Sequence, residues 1–301
     1  MKLLITGATG LVGKEITKQS LANGHSVNYL TTSRDKIQTK PNYQGYFWDP
    51  NTNEIDDACF NNVDAIIHLA GASIFQRWTD ENKEIILKSR TETAALIFAR
   101  LREIDHNVTQ FVSASAIGAY PSNPEKLYTE NYPEYHPGFL GKVVSAWEAS
   151  ADQFKELGLT VAKIRVGVVM AETEGALPQI TKPIKMFVGA PLAGGEQWQS
   201  WVHVEDLAGI FLFAVAKKLN GVYNGVAPNP VTNKEMTKEA AAILNKLLWL
   251  PSVPEFVLKL MLGKMSSLVT ESQKVSAEKI IDAGYTFKFP QLHGAFADLL
   301  K

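Results

Sequence analysis

Three glycines at a regular spacing follow the first apolar segment of the chain. Gly7, Gly10 and Gly13 come directly after residues 3–6, whose apolar and β-branched side chains predict a buried strand, and an apolar stripe at helical spacing follows. In a strand–turn–helix unit such glycines allow the tight turn, the approach of a pyrophosphate and close packing of the helix, whose N-terminus attracts phosphate. The spacing therefore predicts a dinucleotide site rather than a purely structural turn. The residues predicted to contact the dinucleotide here are Gly7, Thr9, Gly10, Leu11, Val12 and Gly13.

A hydroxyl at the end of the fifth predicted strand is the first candidate for chemistry on a substrate. Residues 108–113 predict that strand, which runs into SASAIGAY and so reaches Ser115. Side chains at the carboxyl ends of parallel strands in an open sheet face the ligand crevice. Ser115 is therefore expected to orient the oxygen of a carbonyl or hydroxyl compound.

The end of the second predicted strand indicates which dinucleotide binds. Ser26–Thr31 predicts that strand, and no Asp or Glu stands directly after it to accept a hydrogen bond from a ribose 2′-hydroxyl. Hydroxyls and cations in this region suit a 2′-phosphate through charge-assisted hydrogen bonds, and the alternative is a solvated basic turn. We therefore predict NADP (NADPH) in preference to NAD. The contacts are predicted to come from Thr32, Ser33, Arg34 and Lys36.

Two further segments are expected near the dinucleotide. Asp49 follows a short third strand, residues 46–48, where its carboxylate can accept from an adenine amino group or simply begin a turn. The fourth strand, within residues 64–71, is continuous enough in apolar residues to be buried on both faces of a parallel sheet. Its His68 is expected to pack beside the backbone rather than to act as a base.

The glycine spacing G-x-x-G-x-x-G resembles the cofactor loop of the short-chain dehydrogenase/reductase superfamily in its extended form. The combination of TGATGLVG, HLAG, RWT with a following SRTET, SASAIGAY and FLGKVVSAWE resembles an atypical extended subfamily, the epimerase family proteins, named after nucleoside-diphosphate-sugar epimerases. The resemblance covers the chain from end to end. It implies that Leu69, Ala70 and Gly71 pass along the cofactor. It also implies that Ser89 takes the place of an active-site Asn and that Ser115 is the catalytic serine.

The chain departs from the superfamily at the catalytic tyrosine. Members usually carry Y-x-x-x-K, in which a Lys one helical turn on lowers the phenol pKa and binds the nicotinamide ribose. No Tyr of this chain has a Lys at that spacing. Lys142, three residues after Phe139, lies near the expected position and remains a candidate for contact with the ribose. The group that supplies the proton is expected among Tyr120, Lys142 and His203, each of which has a packing or surface role as the alternative.

Composition and charge narrow the class of protein. The chain has 301 residues, 46% of them hydrophobic, and a formal net charge of −1, without the basic run that a nucleic-acid footprint needs. Apolar runs such as residues 210–216 are too short to cross a bilayer, and the single Cys59 cannot form an internal disulfide. We therefore expect a cytoplasmic enzyme with a small-molecule substrate, without nucleic acid, membrane or metal as partners, and able to form a homodimer.

The order of the predicted elements indicates an α/β fold. It should contain a doubly wound, Rossmann-type parallel sheet and a small, mostly helical C-terminal substrate region. Residues 1–166, with a further strand near 221–226, are predicted to form the dinucleotide-binding domain. Residues 167–220 and 227–301 are predicted to form a substrate lid, because Gly- and Pro-rich segments alternate there with short helical patterns.

Aromatic and apolar side chains of the second half are expected to build this lid. Trp198, Trp201 and His203 are predicted to line it and shield a nicotinamide from water, or else to pack in the core. From residue 233 onward the pattern is helical. One helix face is predicted to carry Met236, Ala240, Ile243 and Leu247, and another face Phe256, Leu260 and Met261.

Three functions are compatible with these residues. The first is an NADP-dependent reductase or dehydrogenase that acts on a small carbonyl or hydroxyl compound. The second is a nucleoside-diphosphate-sugar epimerase, which oxidises and re-reduces its substrate and needs a basic pocket for a diphosphate, for which Lys182 and Lys185 are available. The third is a non-catalytic NADP(H)-binding sensor that lacks the tyrosine–lysine pair.

Overall fold

The continuous apolar runs of the sequence become the strands of a central sheet. The computed structural model describes residues 1–300, and these residues contain fifteen strands. The strands are β1 Lys2–Thr6, β2 Ser26–Thr31, β3 Thr39–Lys40, β4 Tyr43–Asp49, β5 Glu54–Ile55, β6 Ala65–His68, β7 Gln110–Ala116, β8 Asn123–Tyr128, β9 Thr160–Val166, β10 Val168–Met170, β11 Trp198–Gln199, β12 Trp201–His203, β13 Gly221–Gly225, β14 Val231–Thr232 and β15 Gln273–Val275.

Helices connect these strands and make up most of the C-terminal segment. The α-helices of residues 1–300 are α1 Leu11–Ala22, α2 Asp80–Leu101, α3 Phe139–Asp152, α4 Leu177–Lys185, α5 Val204–Ala216, α6 Asn233–Ile243, α7 Glu255–Leu262, α8 Ser267–Thr270, α9 Glu278–Asp282 and α10 Leu292–Leu299. Short 3₁₀ helices lie at Arg34–Lys36, Asp57–Phe60, Ile117–Ala119, Gln153–Leu157 and Gly263–Ser266. Within residues 1–300, no helix combines the length and the apolar character needed to cross a membrane.

The chain reverses the direction of sheet growth between β1 and β6. The strand order is β13-β9-β7-β6-β1-β2-β4, and all of these neighbours pair in parallel. The short β3 and β5 add antiparallel pairs to β4 at one edge. This doubly wound arrangement confirms the predicted fold class, and it opens a crevice above the carboxyl ends of β1 and β6.

Side chains of β1 enter two separate cores because successive residues of a strand point to opposite faces. Leu3 and Ile5 join the core that contains residues of α1 and α5, whereas Leu4 joins the core that contains residues of α2 and α3. All three are nearly inaccessible to solvent. Full burial of one such side chain contributes about 1.5–3 kcal/mol, so the two cores hold the carboxyl end of β1 firmly in place.

Capping residues set where two of the helices begin. Thr79 accepts a hydrogen bond from Asn82 N at 3.2 Å and is the N-cap of α2. Thr232 and Glu235 form a reciprocal capping box at the start of α6. No side chain caps α1 at Gly10, so the first backbone N–H groups of α1 are available to another group.

The residues after Gly167 build a third core of their own. Met170, Trp201, Met236 and Phe296 are buried together in it. The parallel pairing of β15 with β8 ties the C-terminal segment to the first half of the chain. This pairing was not predicted, because two short strands in distant parts of the sequence carry no local pattern that links them.

The helical pattern predicted from residue 233 onward is only partly correct. Met236, Ala240 and Ile243 lie in α6, but α6 ends at Ile243, so Leu247 is outside the helix that was predicted to carry it. Asn245 has a φ of 53°, a conformation that ends a helix. Phe256, Leu260 and Met261 lie together in α7, as predicted, and all three are exposed.

Limited proteolysis should yield no stable C-terminal fragment from about residue 230 onward. So short a segment buries too little surface to fold alone, and its β15 pairs with β8 in the first half. Trypsin digestion followed by mass spectrometry checks this. A protease-resistant fragment of that size would contradict the expectation of one folding unit, and the domain boundaries at residues 166 and 227 stay a prediction.

Candidate functional site

A cavity of about 630 Å³ opens where the sheet changes direction. The glycine loop after β1 lines one part of it, and the carboxyl end of β7 contributes Ser115. The second half of the chain closes the cavity with residues of α4, α6 and α8. A ligand crevice at the carboxyl ends of parallel strands is the expected place for a binding site in this fold.

The predicted dinucleotide residues divide into two groups around this cavity. Those that line it are Gly7, Gly10, Leu11, Val12, Gly13, Leu69 and Gly71. Those that lie outside its lining are Thr9, Thr32, Ser33, Arg34, Lys36, Asp49, Ala70, Ser89 and Lys142. The structure therefore brings the glycine loop and the end of β6 together, and places the predicted 2′-phosphate residues beyond the end of β2.

The glycine loop has the geometry of a phosphate cradle. Gly7 has a φ of +70°, in the left-handed region that side chains disfavour, and a Cβ on Gly13 would lie 2.2 Å from Gly7 O. Gly13 thus lets α1 begin directly against the loop. Because no side chain caps α1, its N-terminal N–H groups and dipole fit the pyrophosphate of a dinucleotide.

A buried hydrogen-bond chain fixes the backbone that follows β6. Thr6 Oγ1 accepts from Leu69 N and Ala70 N, both at 3.0 Å, so its own proton goes to His68 Nδ1 at 2.9 Å. The His68 Nε2 proton is then left for Thr93 Oγ1 at 3.2 Å. Burial lowers the pKa of His68 to about 4, which keeps the imidazole neutral. His68 is therefore a structural residue in this arrangement.

Arg34 lies at the surface beyond the end of β2. Its guanidinium stacks 3.7 Å above the Phe47 ring, and Nη2 contacts Glu54 Oε1 at 3.3 Å. Both charged side chains are more than half exposed, so the ion pair contributes little to stability and can be exchanged for a phosphate partner. The aromatic contact keeps Arg34 in place for such an exchange.

Asp49 and Ser89 make local contacts. Asp49 Oδ1 accepts from Asn51 N at 3.0 Å and from the Asn51 side chain at 3.1 Å, which is the turn-forming alternative of the sequence analysis. Ser89 Oγ accepts from Ala72 N at 2.8 Å. Ser89 thus holds the segment that follows Gly71 against α2.

Ser115 is bound to a buried carboxylate that the sequence analysis missed. Its hydroxyl donates to Glu148 Oε1 at 2.6 Å. Arg165 lies opposite Ser115 in the register of β7 and β9, and it donates to both carboxylate oxygens, from Nε at 2.8 Å and from Nη2 at 3.0 Å. Tyr135 Oη donates to Glu148 Oε2 at 2.8 Å. Both oxygens of Glu148 therefore have two donors each.

The charges of this cluster determine what Ser115 can do. Burial disfavours the charge on Glu148, but the hydrogen bonds and charge of Arg165 more than offset it and hold the pKa of Glu148 below its usual range. Glu148 is thus ionised at neutral pH and accepts the hydrogen bond that Ser115 donates. The lone pairs of Ser115 Oγ are left to accept a hydrogen bond from a ligand in the cavity.

Glu148 and Arg165 each carry a signal in the sequence. Glu148 stands at helical spacing on the apolar stripe of Val144 and Ala151, and Arg165 interrupts an apolar strand. A charge inside a pattern that predicts burial needs a partner of opposite sign. Sixteen residues separate the two charges, and no local pattern predicts that they pair.

Tyr120 does not reach the cavity, which corrects its candidacy as a proton donor. Its ring is fully buried and its hydroxyl donates to Asn224 Oδ1 at 2.8 Å. Burial raises the pKa of Tyr120 to about 12. The residue therefore has the packing role that the sequence analysis kept as the alternative.

His203 is also absent from the cavity lining within residues 1–300. Its Nδ1 accepts from Glu205 N at 3.1 Å and so caps α5, and its ring stacks on Phe289 with the centroids 3.9 Å apart. Burial lowers the pKa of His203. Trp201 is likewise buried in the third core, whereas Trp198 lines the cavity as predicted for a lid residue.

Lys142 lies on the exposed side of α3. The cavity face of α3 consists of Leu140, Val143, Val144 and Trp147 and carries no ionisable side chain. Leu140 and Val144 are one helical turn apart and both face the cavity, as a tyrosine–lysine pair would have to. The exposed Lys142 therefore does not replace the missing pair.

Two charged residues line the cavity within the described part of the chain, Arg90 and Glu271. Arg90 Nη1 donates to Ala72 O at 3.2 Å and to Ile86 O at 2.8 Å, and its guanidinium lies beside Gly71. The part of the cavity formed by the second half has a mainly apolar surface with uncharged polar side chains among it. Its apolar lining residues include Ile180, Pro183, Ala190, Leu192, Trp198, Met236, Leu268 and Val269, and its polar ones include Gln179, Gln199, Asn233, Thr237 and Ser267.

The fold and the cavity define a Rossmann-type dinucleotide-binding protein whose second half builds a substrate region. The model described as the NAD dependent epimerase/dehydratase family matches residues 3–225, and the chain belongs to this family. A second model, described as a domain of unknown function (DUF1731), matches residues 253–299. The resemblance to epimerase family proteins that the motifs carry is thus confirmed.

Relatives and solved structures cover nearly the whole chain. The chain is 33% identical over 301 residues to epimerase family protein YfhF of Bacillus subtilis (strain 168), which covers 100% of this chain and 98% of the relative. The crystal structure of human epimerase family protein SDR39U1 (isoform2) with NADPH has 28% identity, a TM-score of 0.86 and 99% coverage of each chain. Thermus thermophilus UDP-glucose 4-epimerase in complex with NAD has 19% identity, a TM-score of 0.76 and coverage of 99% and 98%, which shows a shared fold.

Glu148→Gln should lower the free energy of unfolding by about 3–5 kcal/mol, because it leaves the charge of Arg165 buried without a partner. Urea denaturation of both proteins at neutral pH measures this. The matched control is Glu255→Gln, which removes an exposed helical ion pair with Lys259 and should cost less than about 1 kcal/mol.

The difference in unfolding free energy between the wild type and Glu148→Gln should depend on pH. The pKa of Glu148 is lowered in the folded state, so its stabilisation is present above the unfolded value of about 4.3 and is lost as pH falls through the folded value. The difference in stability between wild type and Glu148→Gln should therefore narrow below about pH 4.3. A difference that stays constant in acid would contradict the charged state assigned to Glu148.

Proposed function

We propose that the protein is an NADP(H)-dependent oxidoreductase that exchanges hydride with a small, uncharged carbonyl or hydroxyl compound. The observation that carries this proposal is the position of Ser115, whose hydroxyl lines the same cavity as the glycine loop. A dinucleotide on that loop and a substrate oxygen at Ser115 would share one space closed by the second half of the chain.

The choice of NADP follows from the end of β2. Arg34 is a cation at the place where an acid would otherwise bind the ribose 2′-hydroxyl, and its ion pair with Glu54 is open to exchange. The NADPH in the SDR39U1 crystal structure supports the same choice. When bound, NADP(H) supplies or accepts the hydride, and the glycine loop and the N-terminus of α1 would hold its pyrophosphate.

Ser115 has the role of orienting the substrate oxygen. Because the Ser115 hydroxyl donates to Glu148, Ser115 Oγ can only accept a hydrogen bond, and it does so from the hydroxyl form of the substrate. Arg165 donates to both oxygens of Glu148 and Tyr135 donates to Oε2, so the carboxylate that binds Ser115 is fixed in position. A rigid hydrogen-bond acceptor favours one orientation of the substrate over the cofactor.

The apolar lining favours this function over a sugar-nucleotide epimerase. A second diphosphate, away from the N-terminus of α1, would be bound most strongly by cations, and Arg90, on the glycine-loop side next to Gly71, is the one lining cation within residues 1–300. The two lysines considered for a diphosphate, Lys182 and Lys185, are exposed on α4 and do not line the cavity. A sensor would differ from the oxidoreductase and the epimerase because it would bind the cofactor without turning over a substrate.

Arg34→Ala should weaken NADPH binding by roughly 10- to 150-fold, the effect of losing a charge-assisted hydrogen bond worth about 1.5–3 kcal/mol. NADH binding should hardly change, because NADH has no 2′-phosphate. Fluorescence titration with both dinucleotides measures this. The matched control is Arg102→Ala, another exposed arginine over an aromatic ring. Equal affinity of the wild type for NADPH and NADH would remove the basis of the proposed preference.

Ser115→Ala should retain NADPH binding and reduce turnover by roughly 100-fold, because the hydroxyl that forms as the carbonyl is reduced loses the acceptor that orients it. A panel of uncharged aldehydes and ketones, followed by NADPH absorbance, provides the assay. Ser113→Ala is the control, since Ser113 lies on the same strand and donates to Ala114 O outside the cavity lining. Wild-type turnover in Ser115→Ala would contradict the role of Ser115. Tight NADPH binding by the wild type without turnover of any compound would favour the sensor.

The location and assembly of the protein stay predictions. The sequence predicts a cytoplasmic protein able to form a homodimer. Sedimentation of the purified chain, with and without NADPH, tests the second of these.

A further inference from the structure

The structure leaves a specific gap in the chemistry of the site. Reduction of a carbonyl needs a proton for the new hydroxyl. The Ser115 hydroxyl already donates its hydrogen bond to Glu148 and so points away from a substrate. The cavity face of α3 offers only Leu140, Val143, Val144 and Trp147. An ionisable group that another element brings to the cavity would close this gap.

Glu271 is the one carboxyl group in the cavity lining within residues 1–300. It follows α8 directly, and its carboxyl oxygen Oε1 lies 3.3 Å from His136 Nε2. Both side chains are mostly buried, with 20% and 16% of their surfaces exposed for Glu271 and His136. The pair is thus largely withdrawn from water, yet one member of it touches the cavity.

The pair lies at the start of α3, next to the cavity residue Leu140. His136 Nδ1 accepts from Gly138 N at 2.9 Å, and Gly138 is the N-cap of α3. His136 N in turn donates to Ala119 O at 2.6 Å, in the segment that follows β7 and Ser115. Glu271 is therefore tied through His136 to both elements that carry the substrate-facing residues.

The contacts of the pair indicate where its protons lie. Because Nδ1 of His136 accepts from a backbone N–H, the neutral imidazole has its proton on Nε2, the atom that lies 3.3 Å from Glu271 Oε1. Oε2 is then the oxygen left to carry a carboxyl proton. Burial raises the pKa of Glu271, and His136 works in the opposite direction when it is protonated.

We propose that Glu271, positioned by His136, is the proton donor that replaces the missing tyrosine. This assignment rests on the proposed function. In the reductive direction the substrate carbon gains the hydride that bound NADPH supplies, and the carbonyl oxygen gains the carboxyl proton of Glu271. The C=O π bond, the carboxyl O–H bond and the C–H bond that gives up the hydride break, a C–H and an O–H bond form on the substrate, and NADP⁺ and the Glu271 carboxylate remain. The carboxylate recovers its proton from solvent, and Ser115 Oγ accepts from the new hydroxyl.

Glu271→Gln removes the proton while keeping the shape of the side chain. It should bind NADPH as the wild type does and lose roughly 10²- to 10⁴-fold in single-turnover hydride transfer to the carbonyl panel. The wild-type rate should fall as pH rises through the pKa of Glu271, and this dependence should vanish in the variant. His136→Gln should keep NADPH binding and shift the pH profile, since His136 positions the donor. Glu125→Gln, on the exposed strand β8, is the matched control and should behave as wild type.

A second measurement does not depend on turnover. In the NADPH-bound full chain labelled with ¹³C at the glutamate carboxyls, the Glu271 resonance is the one absent from Glu271→Gln, and it should titrate above the ordinary value of about 4.3. A resonance that titrates at or below that value overturns the proposal, as does wild-type turnover in Glu271→Gln. Absence of turnover in the wild type overturns the proposed function, and Glu271 as the acid of this cavity then depends on the titration alone.

Discussion

A carboxylate and a guanidinium that are both withdrawn from water hold the candidate site together. Glu148 and Arg165 are almost completely buried, so each charge is tolerable only while the other stays within hydrogen-bond distance. The pair joins α3 to β9, and Ser115 and Tyr135 complete the shell of donors. The position of the serine in the cavity, and the direction in which its proton points, follow from the need to keep that carboxylate fully bonded. An apolar pair of the same size would pack there, but it would leave the serine hydroxyl free to rotate.

The sequence allowed prediction of the features that depend on residues within a single short segment. The glycine loop and the strands that form the parallel sheet depend on residues a few positions apart, and the structure has them where the patterns indicate. The pairing of β8 with β15 and of Glu148 with Arg165 depends on segments far apart in the chain. No local period encodes which two distant segments meet, so these contacts had to be seen in the structure.

The proton-donor candidates show the same limit at the scale of a single side chain. Tyr120, Lys142 and His203 were chosen because their types suit proton transfer and their positions in the sequence lie near the expected site. Whether such a side chain faces a cavity depends on the rotation of its helix or strand against its neighbours. In this fold Tyr120 and His203 face cores and Lys142 faces solvent, while the cavity receives Glu271 from a segment that no motif had marked. That segment lies within residues 253–299, which match the domain of unknown function.

The parallel pairing of β8 with β15 also affects how the protein is made. Ser272 N donates to Ser122 Oγ across a sequence separation of 150 residues, and β15 completes the wall beside it. During synthesis on the ribosome, the glycine loop and every strand of the central sheet are made before β15, since they all lie before residue 226. The wall that β15 contributes is therefore the last part of this arrangement to leave the ribosome. A chain stalled before β15 would contain all the strands of the central sheet, and β8 would have no partner strand.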